Sequence, residues 1–151
     1  MSIVLMDTCV FCNVLDVSGF NQHCDSILTE MEGHIRNNHT LLLPMAAVLE
    51  TGNHIAQLTR GNVRRTVAQR FCDDVSEVID GASPWTPTPF WEVEQLRTWL
   101  SEFTEHAMRG VGLGDLSIIK EWERQCKIFP KRRVTIWSLD GHLKGYDQKA
   151  K

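Results

Sequence analysis

The stretch IVLMDTCVFCNVLD, residues 3–16, sets four consecutive apolar residues directly before a carboxylate. An unbroken apolar run of this length, unlike an alternating one, suits a strand covered on both faces, the kind parallel sheets use. Ile3 to Met6 is therefore expected as a buried strand with Asp7 at its carboxyl end. Two similar runs lie downstream. Thr40 to Leu43 precedes Pro44, and Val134 to Trp137 follows the basic turn Lys131-Arg132-Arg133 and leads to Asp140.

Helical spacing fills the intervals. From Phe20, the apolar positions Cys24, Ile27, Leu28, Met31 and Ile35 recur at threes and fours until Arg36-Asn37-Asn38. Pro44 opens a second helix, where its missing amide hydrogen costs little, and Glu50 falls on that helix. Val63, Val67, Phe71, Val75, Val78 and Ile79 make a third stripe ended by Gly81, and the stretch around Pro84, Pro87 and Pro89 reads as an ordered loop. Phe90, Leu96, Trp99, Leu100 and Phe103 suggest a helix whose aromatic face belongs to the core. Glycines between residues 109 and 114 break it. Asp115 then opens a helix with Leu116, Ile119, Trp122 and Cys126 facing inward. Strands separated by helices imply an α/β protein, a short parallel sheet with helices on both faces. Ligands of such sheets gather outside the carboxyl ends of the strands, where Asp7 and Asp140 fall.

With 151 residues, 42% of them hydrophobic and 23% charged, the chain fits one compact domain over residues 1–151 and excludes wholesale disorder or a fibrous repeat. No apolar run approaches the roughly 20 residues that span a bilayer, so a cytoplasmic protein without a signal peptide is expected. The five cysteines are odd in number and suit reduced thiols. Cys9 and Cys12 form a C-x-x-C read as packing, and the six histidines show no spacing that pairs them as zinc ligands. Residues 1–126 hold 9 basic against 17 acidic side chains, whereas residues 127–151 hold 7 against 2. That asymmetry would let a basic tail meet phosphate while acids elsewhere hold metal.

Four places resemble the PIN-domain family, which includes the ribonuclease toxins of VapBC toxin and antitoxin pairs. The opening run resembles that family's first strand ending in Asp and Thr or Ser, here Asp7 and Thr8. LLLPMAAVLE is similar to its second strand, proline and helix bearing Glu, here Pro44 and Glu50. GLGDLSII resembles its Asp at a helix start, matching Asp115, and TIWSLD its strand ending in Thr-x-Asp, with Ser138 and Asp140 in those places. The match spans residues 3 to 140 in order. Two features depart from the pattern. Cys9 stands where Asn is frequent, and only 11 residues follow Asp140, which suggests a shortened sheet whose Leu143 and Tyr146 close a last helical turn.

The resemblance implies a PIN-like three-layer sandwich and a nuclease whose catalytic, metal-holding residues are Asp7, Glu50, Asp115 and Asp140. Mg²⁺ or Mn²⁺ is the implied cofactor, because hard ions prefer oxygen ligands and complete their shells with water and substrate phosphate. Thr8 and Ser138 would orient the carboxylates by hydrogen bonds. RNA is the implied substrate, and an antitoxin and a second copy of the chain are the implied partners. Candidate phosphate contacts are Arg64 and Arg65, with Arg60 and Arg70 near them, the turn Lys131, Arg132 and Arg133, and His142. Two other readings remain open: a catalytically silent PIN-like module that binds RNA or protein, and a nuclease directed at DNA.

Overall fold

Every residue of the run Ile3–Met6 is buried, and the run is the central strand, β1, of a five-stranded sheet. The computed structural model describes residues 1–151. β2 (Thr40–Leu43) and β4 (Val134–Trp137) flank β1, both parallel to it. β3 (Trp85–Pro87) extends the β2 side in parallel, and β5 (Asp147–Gln148) closes the β4 side antiparallel, giving the order β3-β2-β1-β4-β5. Six helices complete the chain: α1 (Thr8–Val14), α2 (Cys24–Arg36), α3 (Met45–Ala56), α4 (Gly61–Ile79), α5 (Val93–Met108) and α6 (Leu113–Ile128).

Alternation along the strands divides the core into two layers. Val4, Met6, Leu41, Leu43, Trp85 and Trp137 face one side, against Phe11 of α1, Ile27 of α2, Ile55 of α3 and Val67 of α4. Ile3, Leu5, Leu42, Val134 and Ile136 face the other, against Ile118 and Ile119 of α6 and the loop residue Leu143. Helices therefore cover both faces of a mostly parallel sheet, the three-layer α/β architecture that the strand spacing implies. β1, β2 and β4 coincide with the three apolar runs.

Four expectations are corrected. The proline stretch read as a loop contains β3, an edge strand in which Pro87 pairs opposite Leu43. Proline is tolerated there because an edge strand has one side with no ladder to complete. The sheet is not shortened at its other edge either. Leu143 is fully buried and its amide bonds back to the Asp140 carbonyl, so a turn does close there, but the chain then turns back as β5. The aromatic face assigned to the core is mostly outside it: Trp99 is buried, whereas Phe90 precedes α5 and stays 66% exposed and Leu100 is 52% exposed. α1, which follows β1 after the single residue Asp7, is not among the helices expected from the apolar spacing.

The fourth correction concerns the basic turn. Lys131, Arg132 and Arg133 lead into β4, whereas Asp7 and Asp140 follow the carboxyl ends of β1 and β4. A four-residue strand is about 13 Å long, so the turn lies at the opposite edge of the sheet. Arg132 donates to the carbonyls of Met1 and Ser2 and to the Thr40 hydroxyl, tying the starts of β1 and β2 to the start of β4. Arg133 donates two hydrogen bonds to Asp147, clamping β5, and with Lys149 it holds that carboxyl down to about 2. These arginines serve the sheet and do not line the acidic cleft. Arg132→Ala should therefore cost about 1–2 kcal/mol of stability, independent of salt because its acceptors are neutral. Arg133→Ala should cost less than about 1 kcal/mol, and less again as salt screens the pair. Denaturant unfolding at two ionic strengths checks both, and a salt-dependent loss for Arg132→Ala would contradict the assignment.

Candidate active site

Parallel strands deliver their following residues to one edge of the sheet, and four acids arrive there from four elements. Asp7 ends β1 and caps α1, accepting a hydrogen bond from the Thr8 amide at 2.7 Å. Glu50 stands on α3, which starts directly after Pro44 ends β2. Asp115 is the third residue of α6, and Asp140 lies three residues beyond β4. All four line one open cleft of about 560 Å³.

Two hydroxyls couple the acids in pairs. The Thr8 hydroxyl donates to Glu50 at 2.7 Å while its amide serves Asp7. The Ser138 hydroxyl donates to Asp7 Oδ2 at 2.7 Å and accepts from the Asp140 amide at 2.9 Å. Asp7 Oδ2 also faces the Cys9 thiol, whose sulfur in turn accepts from the Leu139 amide. Cys9 thus supports Asp7 with a thiol donor. Burial first, and then the Asp7 charge, push that thiol up to about 11, so it remains protonated at neutral pH. Asp7 itself is only 4% exposed, and these donors compensate its burial.

Asp115 has a different environment. Burial, followed by the charges of Asp7, Glu50 and Asp140, raises its carboxyl to about 6, with His142 pulling weakly the other way. No hydrogen bond to its anion offsets these effects. Glu50 lies so close over Gly114 that a side chain added at that glycine would collide with its carboxylate. Glycine at 114 thus leaves the space that the Glu50 carboxylate occupies over the first turn of α6.

No three His, Cys, Asp or Glu side chains stand close enough together to hold a metal ion as they are oriented here. Glu50 accepts from the Thr8 hydroxyl and Asp7 from the Ser138 hydroxyl. The donor set still fits a hard divalent cation, and Mg²⁺ in particular takes one or two carboxylates and keeps several waters. Asp7, Glu50, Asp115 and Asp140 are the residues that would hold it.

The remaining candidates separate. His142 is exposed on the Asp140 loop, its amide bonded to Asp140 Oδ1 and its ring beside Gly110. Arg64 and Arg65 are exposed on α4 and do not line the cleft; Arg64 donates to the Leu58 carbonyl after α3. The apolar stripe of α4 buries Val67 and Val78, which leaves these arginines on the solvent face. Sequence reasoning missed Phe20, Asn53, His54 and Gln57, which do line the cleft. A signal existed for three of them. Asn53, His54 and Gln57 stand three, four and seven residues after Glu50, the spacing of one helix face.

No family model matches the sequence, and no curated protein sequence matches it. In three dimensions the chain is similar to one chain of the VapBC2 structure from Rickettsia felis, which was solved bound to a DNA fragment from the promoter of that pair. The TM-score is 0.54 over 90% of this chain and 99% of the other, at 16% identity. At so low an identity the likeness establishes the fold alone: the α/β sandwich around the acidic cleft has the architecture of a chain from a VapBC2 pair.

Proposed function

We propose that this chain is a Mg²⁺- or Mn²⁺-dependent endoribonuclease of the PIN type that hydrolyses RNA phosphodiester bonds. The observation that carries the reading is the convergence of Asp7, Glu50, Asp115 and Asp140 from four separate elements on one cleft. When bound, the cation would supply charge neutralisation at the scissile phosphate and a more acidic water. The chain's own part is positional. Thr8 fixes Glu50, Ser138 fixes Asp7 and joins it to the Asp140 loop, and Cys9 adds a neutral donor. Asp115, raised to about 6, would hold a proton below that pH and be free to serve as a ligand above it, since ligands must be deprotonated to bind. As anions these carboxylates would repel a bare phosphate, so the cation is also what makes the cleft receptive to substrate.

The fold likeness to a VapBC2 chain, together with the motif resemblance, supports a role as a toxin held inactive by an antitoxin, acting as a homodimer. No helix is long and apolar enough to cross a membrane, which suits a cytoplasmic role.

Asp7→Asn and Asp115→Asn should each abolish most cleavage without unfolding the protein. Ser138→Ala and Thr8→Val should cost roughly 10–100-fold, the usual range for groups that orient ligands. Matched RNA and DNA strands assayed with Mn²⁺ check this. Retained activity in both acid variants would refute the site, and cutting of DNA alone would move the substrate class. Linkage gives a second test. Because the Asp115 carboxyl is raised, the folded cation-free protein binds its proton more tightly than the unfolded chain, so this group's stabilisation is full at low pH and fades as pH rises through about 6. Melting curves should show that decline without cation, its disappearance in Asp115→Asn, and a midpoint gain with Mn²⁺ that grows with pH up to about 6 and then levels. A Mn²⁺ response identical in wild type and Asp115→Asn would remove Asp115 from the ligand set. Overproduction of wild type, but not Asp7→Asn, should arrest growth, and normal growth together with a monomeric mass would count against the toxin role.

A further inference from the structure

Phe20 sits 38% exposed in the same cleft as the four acids, on the connection between α1 and α2. A single exposed aromatic is ordinary, but this one is held in place by its loop and lines the cleft. The Phe20 amide bonds to the Val17 carbonyl, Asn21 donates to Asp16, Gln22 donates to the Gly19 carbonyl, and the His23 amide donates to Asn13 of α1. Gly19, at φ +85°, supplies the left-handed residue that presents the ring. Buried Leu15 and Val17 anchor the loop's start.

One face of the ring is stacked on His54, with centroids 4.5 Å apart and planes 28° apart. His54 stands four residues after Glu50 on α3, about 6 Å along the helix axis. His54 is thus about one helical turn from Glu50, and the ring stacked on it lines the same cleft. Asn53 and Gln57 flank it, each with amide donors and an acceptor. No Lys or Arg lines the cleft, so nothing there grips phosphates by ion pairing.

We propose that Phe20, backed by His54, is the stacking platform for one unpaired nucleobase of the strand whose phosphate lies over the carboxylates, with Asn53 and Gln57 beside the edge of the base. The proposal rests on the nuclease reading and deepens it. A base within a duplex is already stacked on both sides and cannot lie on Phe20, so the site selects single strands, loops or extruded nucleotides.

The test uses the full chain with Mn²⁺ and single-stranded RNA whose 3′ bridging oxygens are replaced by methylene groups, so that binding is read without cleavage, carrying 2-aminopurine, whose fluorescence reports stacking. Binding should quench the probe. Phe20→Leu, which keeps an apolar contact on His54, should weaken binding roughly five- to hundredfold and abolish the quench, while Phe20→Trp should retain both. Unchanged melting midpoints would show that each variant folds. Equal binding and quench in Phe20→Leu and its parent, or no binding by either, overturns the platform. Cleavage by the otherwise wild-type chain separates the two readings. Unchanged kcat/KM and unchanged preference for unpaired over duplex RNA in Phe20→Leu would sink the platform and leave the nuclease standing. A Phe20-dependent quench in a chain that cuts nothing would keep the platform and sink the nuclease.

Discussion

The parallel pairing of β1 between β2 and β4 is the constraint from which the rest follows. Because the three strands run the same way, every residue just past a strand emerges at the same edge, and every residue just before one lies at the other. Chain direction alone therefore separates acid from base. Asp7 and Asp140 leave their strands into the cleft, Glu50 rides on the helix that begins where β2 stops, and Arg132 and Arg133 enter β4 about a strand length away. β1 can occupy the centre because all four of its residues are apolar, and a polar side chain on either face would meet a packed layer.

That geometry imposes an electrostatic tension that the local structure manages in two ways. Around Asp7 the protein supplies donors: an amide, a hydroxyl and a thiol kept neutral by the same burial and charge that make the site demanding. Around Asp115 it supplies none, and the charge is relieved by holding a proton up to about 6. One carboxylate is thus surrounded by donors and another is left without them. The interval between Asp7 and Asp140 in the chain is long, but Thr8 and Ser138 join Asp7 to Glu50 and to the Asp140 loop, while Asp115 meets the others through charge alone.

Strands buried on both faces were the legible part of the sequence, because their signal is a contiguous apolar run that depends on no distant partner. β3 and β5 were not legible. Each is an edge strand of two or three residues, defined by pairing with β2 or β4 and not by its own composition. The α5 face misled for a related reason: its spacing is helical, but periodicity reports amphipathicity and cannot say whether the apolar side meets the core. In the site, acids next to apolar strand ends stood out, since a carboxylate there has little reason to exist for solubility. Phe20 could not stand out. Its importance lies in contact with His54 across 34 positions of chain, and one aromatic in a loop carries no spacing signal.

The absence of Lys and Arg from the cleft walls gives the cluster its logic. Most nucleic-acid sites hold the strand by neutralising phosphates, a contribution that is strong, salt-sensitive and indifferent to base. A cleft lined by four acids reverses the sign of that contribution, so a strand lying in it would meet like charge. On the reading proposed above, affinity would come from contacts that carry no net charge, which are stacking on an aromatic face and hydrogen bonds from amide side chains, beside the charge neutralisation a bound cation would supply. Phe20, His54, Asn53 and Gln57 line the cleft together with Glu50 and would be that complement. Acids and uncharged contacts in one cleft would then divide the work: the carboxylates would decide where the strand is cut, and the stacked base which side of the cut is held.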